Sequence, residues 1–150
     1  MLHRTLRLVL PALWLGVLVG ISLIEAPLKF QAPGITVPLG LGIGRLVFFA
    51  MNIVEAVIAL VLMAAMFLGR ASRAEWMLGA ASAVLLAAKA LVVRPLMQAT
   101  TDAVIAGDSA GGSGMHYLYI AADGMLIVLL ITLVAVTARK LLRSPESATR

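Results

Sequence analysis

Hydrophobic positions run along the chain in four long stretches, separated by three short segments rich in proline, glycine or charge. The first extends from Leu8 to Ile24 and closes on Glu25-Ala26-Pro27. Pro27, Pro33, Gly34 and Pro38 then mark a turn, because these residues end helices and start new ones. A second stretch begins between Pro38 and Gly42, continues to Phe67 and Leu68, and meets a tight basic turn at Arg70-Ala-Ser-Arg73-Ala-Glu75. The third runs from near Trp76 to Arg94-Pro95, and the mixed segment Leu96 to Ile105 continues it as a helix outside the bilayer. Gly107 to Gly114 reads as a flexible loop, and the fourth stretch runs from His116 to the basic cluster Arg139-Lys140-Leu-Leu-Arg143. About 20 apolar residues cross a hydrocarbon core as a helix. The pattern therefore predicts an all-α integral membrane four-helix bundle, a single domain over residues 1–143 with spans at about 8–25, 40–69, 75–95 and 116–138. Residues 144–150 form a disordered tail.

A signal peptide is the rival for the first stretch. Cleavage after Ala26 would place Ile24 where a small residue is wanted and Pro27 just past the cut, so a retained span is expected. Pro11 falls in its first turns. Ala12, Gly16 and Gly20 recur at four-residue spacing and predict a groove for close helix packing, and Gly79, Ala83 and Ala87 repeat that spacing in the third span. Gly40-Leu-Gly42-Ile-Gly44 follows no strand and lacks a full phosphate-loop fingerprint, so it reads as helix packing.

Composition fixes the class: 62% of the 150 residues are hydrophobic, 13% are charged, and the mean hydropathy is +1.06. The pI of about 10.5 points to the lipid bilayer and not to nucleic acid, because the basic residues cluster at the ends of apolar stretches. The absence of cysteine rules out disulfides, iron–sulfur clusters and thiol nucleophiles. Arg4, Arg7, Arg70, Arg73, Arg139, Lys140, Arg143 and Arg150 all fall on one side of a four-span topology. The positive-inside rule then puts both termini in the cytoplasm and the protein in the cytoplasmic membrane.

Candidate chemistry lies in the few polar residues inside the apolar stretches. Arg45, Asn52 and Glu55 share one face of the second helix, and a charge at bilayer depth costs at least about 2.5–3.5 kcal/mol, so that face turns inward. Measured from each basic collar at about 1.5 Å per residue, Glu55, Lys89 and Asp123 stand about 22–24 Å away and Glu25 about 27 Å. All four helices thus bring an ionisable group to one layer, with Arg45, Arg94 and His116 above it, nearer the outer surface. His116, Tyr119 and Asp123 share a face of the fourth helix.

Two functional readings follow. In one, Glu25, Asn52, Glu55, Lys89 and Asp123, with Arg45 and Arg94, line an outward-facing pocket that binds or passes a small polar species, a cation or a proton. Three carboxylates against one lysine call for a protonated carboxyl, a bound cation or neutralisation by the arginines. In the other, the charges fix helix register in a structural subunit, as a homo-oligomer or in a larger membrane complex. An enzyme is the least supported class, since Ser22 and Ser82 have no histidine at matching depth. His116 reads first as an interfacial histidine and second as a metal ligand. Bis-histidine haem fails because His3 and His116 lie at opposite ends. The methionines read as core filler, Trp14 and Trp76 belong to the cytoplasmic half with Trp76 as an anchor, and Tyr117 and Tyr119 suit the opposite interface.

Leu13-Trp14-Leu15-Gly16, Glu25-Ala26-Pro27-Leu28-Lys29-Phe30, Asn52-Ile53-Val54-Glu55, Arg94-Pro95-Leu96-Met97 and a His116 opening the last span form a pattern covering almost the whole chain. It resembles that of small four-helix bacterial membrane proteins related to transmembrane protein 205 and, more remotely, to the copper-resistance CopD superfamily. The resemblance implies a compact four-helix bundle with the polar motif residues on the outer side. Any copper handling it implies would fall to Met115-His116, Met97 and Met51.

Overall fold

A computed structural model describes residues 2–108 and 114–143, all but the turns being helical; residues 109–113 of the glycine-rich segment and the tail 144–150 lie outside the described residues. Four helices are long and apolar enough to cross a membrane: α1, Leu2–Gln31; α2, Val37–Leu68; α3, Arg73–Ala106; and α4, Gly114–Arg143. They have 30 to 34 residues each and so extend about 45–50 Å, well past a hydrocarbon core of about 30 Å. All four outrun the apolar stretches at one or both ends, because backbone hydrogen bonding continues into the polar flanks.

Pro27 does not end α1 where expected, whereas α3 continues past Pro95 through Leu96 to Ile105 as the sequence led one to expect. In both helices a π turn, Val19–Glu25 and Lys89–Val93, stands just before an X-Pro pair. There the N–H of Ala26 bonds to the carbonyl of Ile21, and that of Arg94 to the carbonyl of Lys89. Proline has no donor and crowds the carbonyl four residues back. The wider turn absorbs that misfit, so α1 continues past Pro27 to Gln31 and α3 past Pro95 to Ala106. Pro11 likewise sits inside α1, buried, because the helix starts at Leu2.

The remaining ends follow side-chain chemistry. The Thr36 hydroxyl caps α2 by accepting from Leu39 N. Ser72 and Glu75 form a reciprocal capping box that starts α3. At the end of α2 the left-handed residue is Arg70, with φ 48°, although Gly69 precedes it. Gly69 serves another need: a Cβ there would stand 2.9 Å from His3 Cβ, so the glycine admits the start of α1.

The helices form an up-down-up-down ring in which α1 and α3 each pack between α2 and α4. Each buries a line of residues spaced alternately by three and four: Arg7, Pro11, Trp14 and Leu18 on α1; Glu75, Gly79, Ser82, Leu86, Lys89 and Val93 on α3; Tyr119, Asp123, Leu126, Leu130, Leu133 and Thr137 on α4. On α2 the line runs through Met51, Glu55, Ile58, Leu62 and Ala65. The distribution is inside-out for a protein in water. Lys89 and Glu55 have no exposed surface, whereas Leu60, Val84 and Leu91 are about 70% exposed.

This line corrects the packing expected of the small-residue rows. Ala12 and Gly16 are exposed, and a Cβ at Gly16 or Gly20 would meet nothing within 4 Å. They lie on the side of α1 opposite Arg7, Pro11, Trp14 and Leu18. A strict spacing of four also drifts about 40° per step, so Gly79 packs on Met66 while Ala87 has turned outward.

Candidate functional site

The centre of the bundle is a charged cluster to which all four helices contribute. Lys89 Nζ donates to Asp123 Oδ1 at 2.7 Å and to Glu55 at 3.1 and 3.4 Å. From α1, Trp14 Nε1 donates to Glu55 Oε1 at 2.9 Å and Ser22 Oγ donates to Asp123 Oδ2 at 2.7 Å. The Lys89 ammonium also stands 5.2 Å from the centroid of the Tyr119 ring, whose hydroxyl donates to Asn52 Oδ1 at 3.4 Å. Asn52 Nδ2 is buried without a partner. Charges at this depth survive only when paired and hydrogen-bonded, and here one lysine serves two carboxylates.

Glu25 is not part of this cluster. It lies a turn farther out, half-buried, and pairs with Lys29 Nζ at 3.3 Å. The contribution of α1 to the layer is Ser22, one helical turn earlier, together with Trp14. Tyr119 is also not the interfacial residue expected, since it is buried inside the bundle, as is Trp14. Arg45 and Arg94 lie away from the cluster. Arg45 Nη1 pairs with Asp102 Oδ1 at 2.7 Å, both side chains about half exposed, and Arg94 Nη2 donates to the Arg45 carbonyl at 3.0 Å.

Above the cluster, at the end away from the basic collars, the helices splay around a cavity of about 520 Å³. Asp123 and Ser22 stand at its floor, and Phe48, Leu41, Met97 and Ile120 are among its apolar walls. Lys29, Arg45, Arg94 and His116 also line it, whereas Glu25, Asn52, Glu55 and Lys89 do not. Gly40 and Gly44 give the cavity its α1 side. A Cβ at Gly40 would fall on the Phe30 ring and one at Gly44 would stand 2.8 Å from Lys29 Nζ, so these glycines leave room for the two α1 side chains against α2. Lys29 is held between the Phe30 and Phe48 rings, 5.7 and 5.3 Å from their centroids.

The charges of the cavity are unevenly matched. Lys29 has Glu25, Arg45 has Asp102, and Asp123 has Lys89. Arg94 has no carboxylate partner among the described residues; besides the Arg45 carbonyl it lies over the Phe49 ring, 5.0 Å from its centroid. His116 packs edge-on against Tyr117 at 6.2 Å between centroids. Among the described residues no three His, Cys, Asp or Glu side chains are grouped as a metal site would need.

At the basic end Glu75 is the hub of a second cluster. It pairs with Arg7 at 3.5 Å and Lys140 at 3.0 Å, and accepts from Thr137 at 3.4 Å. Fourteen residues of α3, about 21 Å, separate Glu75 from Lys89, and Leu62, Met66, Leu86, Leu130 and Leu133 fill the bundle core.

Lys29, Asp102, Trp14 and Ser22 are site or cluster residues that the apolar-run reading passes over. Following the three-four line from Arg7 through Pro11 reaches Trp14, whereas Lys29 becomes visible only once α1 is known to continue past Pro27, and Asp102 only once its helix is seen to pack beside Arg45. No family model, curated protein or solved structure matches the chain, so its chemistry is read from its own side chains.

Proposed function

We propose that this is a non-enzymatic, multi-pass protein of the cytoplasmic membrane, with both termini inside, that binds a small amphiphilic anion in its outward-facing cavity. The observation that carries the reading is the pairing of a cavity of about 520 Å³, largely apolar, with Arg94, which has no carboxylate partner among the described residues. That volume lies within the usual range of ligand sites, roughly 300–1,000 Å³. Phe48, Met97 and Ile120 suit an apolar body, and the planar fork of Arg94 suits a carboxylate or phosphate head.

Charge favours an anion over a cation or proton. Three cations, Lys29, Arg45 and Arg94, line the cavity, and the one carboxylate that lines it, Asp123, is already bound to Lys89 and Ser22. Binding is favoured over passage, because about 21 Å of apolar core lies between the Lys89 cluster and Glu75. In this reading Glu55, Lys89 and Asp123 hold the four helices in register and form the support beneath the ligand. A second reading, copper handling as the remoter likeness to the CopD superfamily would imply, is favoured by one observation: His116 and Met97 line the same cavity.

Titration of the detergent-purified protein with a fluorescent long-chain carboxylate tests the proposal. Saturable binding is expected, weakened about tenfold or more by Arg94→Gln, which removes a charge-assisted pair. The melting temperature should stay unchanged. Equal affinity in the variant would remove Arg94 from the reading. A stoichiometric metal lost on His116→Ala, found by elemental analysis, would replace the reading with the copper one.

A further inference from the structure

The basic end holds a second, smaller cavity of about 230 Å³ between α1, the α2–α3 turn and α4. Four cations line it, Arg4, Arg7, Arg70 and Lys140, against a single carboxylate, Glu75. That carboxylate is fully engaged: besides Arg7, Lys140 and Thr137 it accepts from Ser72 N at 2.9 Å and Ser72 Oγ at 2.7 Å. The positive charge of the cavity is therefore in excess. Arg7 is only 8% exposed, yet its Nε is buried with no hydrogen-bond partner. Gly69, which has no side chain, lies beside that nitrogen; a Cβ there would stand 3.5 Å from it.

We propose that this cavity binds the phosphate of an anionic membrane lipid. A volume below the usual ligand range suits a head group and not a whole molecule. Arginine forks match a tetrahedral oxyanion, and a basic pocket between helices at the membrane surface attracts anionic lipid. Leu2, Phe67, Leu68 and Leu142, at the same end, are each more than 60% exposed and offer apolar flanks for acyl chains. A free phosphate would use none of that surface, which is why a lipid is the assigned source. The site is independent of the outward cavity, since it lies at the opposite end of the bundle.

The test uses the full chain in phosphatidylcholine nanodiscs with and without phosphatidylglycerol. Phosphatidylglycerol should raise the melting temperature and remain attached to the protein by native mass spectrometry. Arg4 and Arg70 are exposed and do not pair with Glu75, so Arg4→Gln with Arg70→Gln should leave the fold intact while lowering retention about tenfold or more. Arg7→Lys keeps a cation beside Glu75 but removes Nε, and should lower retention with little change of melting temperature in phosphatidylcholine. Unchanged retention in both variants would overturn the proposal, as would equal stabilisation by phosphatidylcholine alone. Stabilisation by inorganic phosphate in detergent, with no added effect of phosphatidylglycerol, would overturn the lipid assignment.

Discussion

The indole of Trp14 and the carboxylate of Glu55 meet at 2.9 Å in the middle of the bundle, where neither has exposed surface. An indole nitrogen can only donate and a carboxyl oxygen accepts, so the contact couples α1 to the lysine on α3 through Glu55. Trp14→Phe keeps most of the ring volume and removes the donor. A hydrogen bond to a charged group contributes about 1.5–3 kcal/mol, so the variant should unfold more readily in detergent by about that amount. A variant as stable as the wild type would mean that Glu55 does not depend on α1.

Among the described residues Lys89 is the only cation in the central cluster, serving Glu55 and Asp123 together. Removing one partner of a buried pair costs about 3–5 kcal/mol, whereas replacing the whole group by apolar residues is often neutral or stabilising. Lys89→Met should therefore lower the melting temperature sharply, and Lys89→Met with Glu55→Leu and Asp123→Leu should recover most of the loss. If the triple variant also keeps long-chain carboxylate binding, the cluster acts as support and not as ligand contact. Wild-type melting of Lys89→Met alone would show that the cluster contributes nothing to the bundle.

What was legible in the sequence was governed by helix rise. Counting residues from each basic collar brought Glu55, Lys89 and Asp123 to one height, because 1.5 Å per residue holds in any helix. Direction was harder. Rows of small residues at a spacing of four looked like packing surfaces, but the bundle packs on alternating three-four lines, which carry Trp14, Ser82 and Tyr119 inward and leave Gly16 outside. The share of Lys29 and Phe30 in the cavity wall was not legible, since it depends on α1 continuing past Pro27 through a π turn. Hydrogen bonding shifted by one residue leaves no signature in composition.

Glycine positions separate these two kinds of row. Gly40→Ala places a methyl on the Phe30 ring and should destabilise the protein by about 1–3 kcal/mol, whereas Gly44→Ala meets only the flexible end of Lys29 and should cost less; both should weaken carboxylate binding by displacing these cavity side chains. Gly16→Ala and Gly20→Ala meet open space and add helix propensity, so they should be neutral or stabilising by up to about 1 kcal/mol. Thermal unfolding of the four single variants checks this. Destabilisation by Gly16→Ala would mean that its exposed face is covered by another chain.

Orientation decides on which side of the membrane each cavity opens. Among the described residues, Arg4, Arg7, Arg70, Arg73, Arg139, Lys140 and Arg143 belong to one end of the bundle, and positive loops are retained in the cytoplasm. The described residues contain no cysteine, nor does the rest of the sequence, so single cysteines report without background. Ala32 and Ala74 are both exposed, the first in the α1–α2 turn and the second in the first turn of α3. In intact cells a membrane-impermeant maleimide should label Ala32→Cys, and Ala74→Cys should react only after permeabilisation. The reverse pattern would place the Arg94 cavity on the cytoplasmic side, where its ligand would come from inside the cell, and would move the Arg7 cavity to the opposite leaflet.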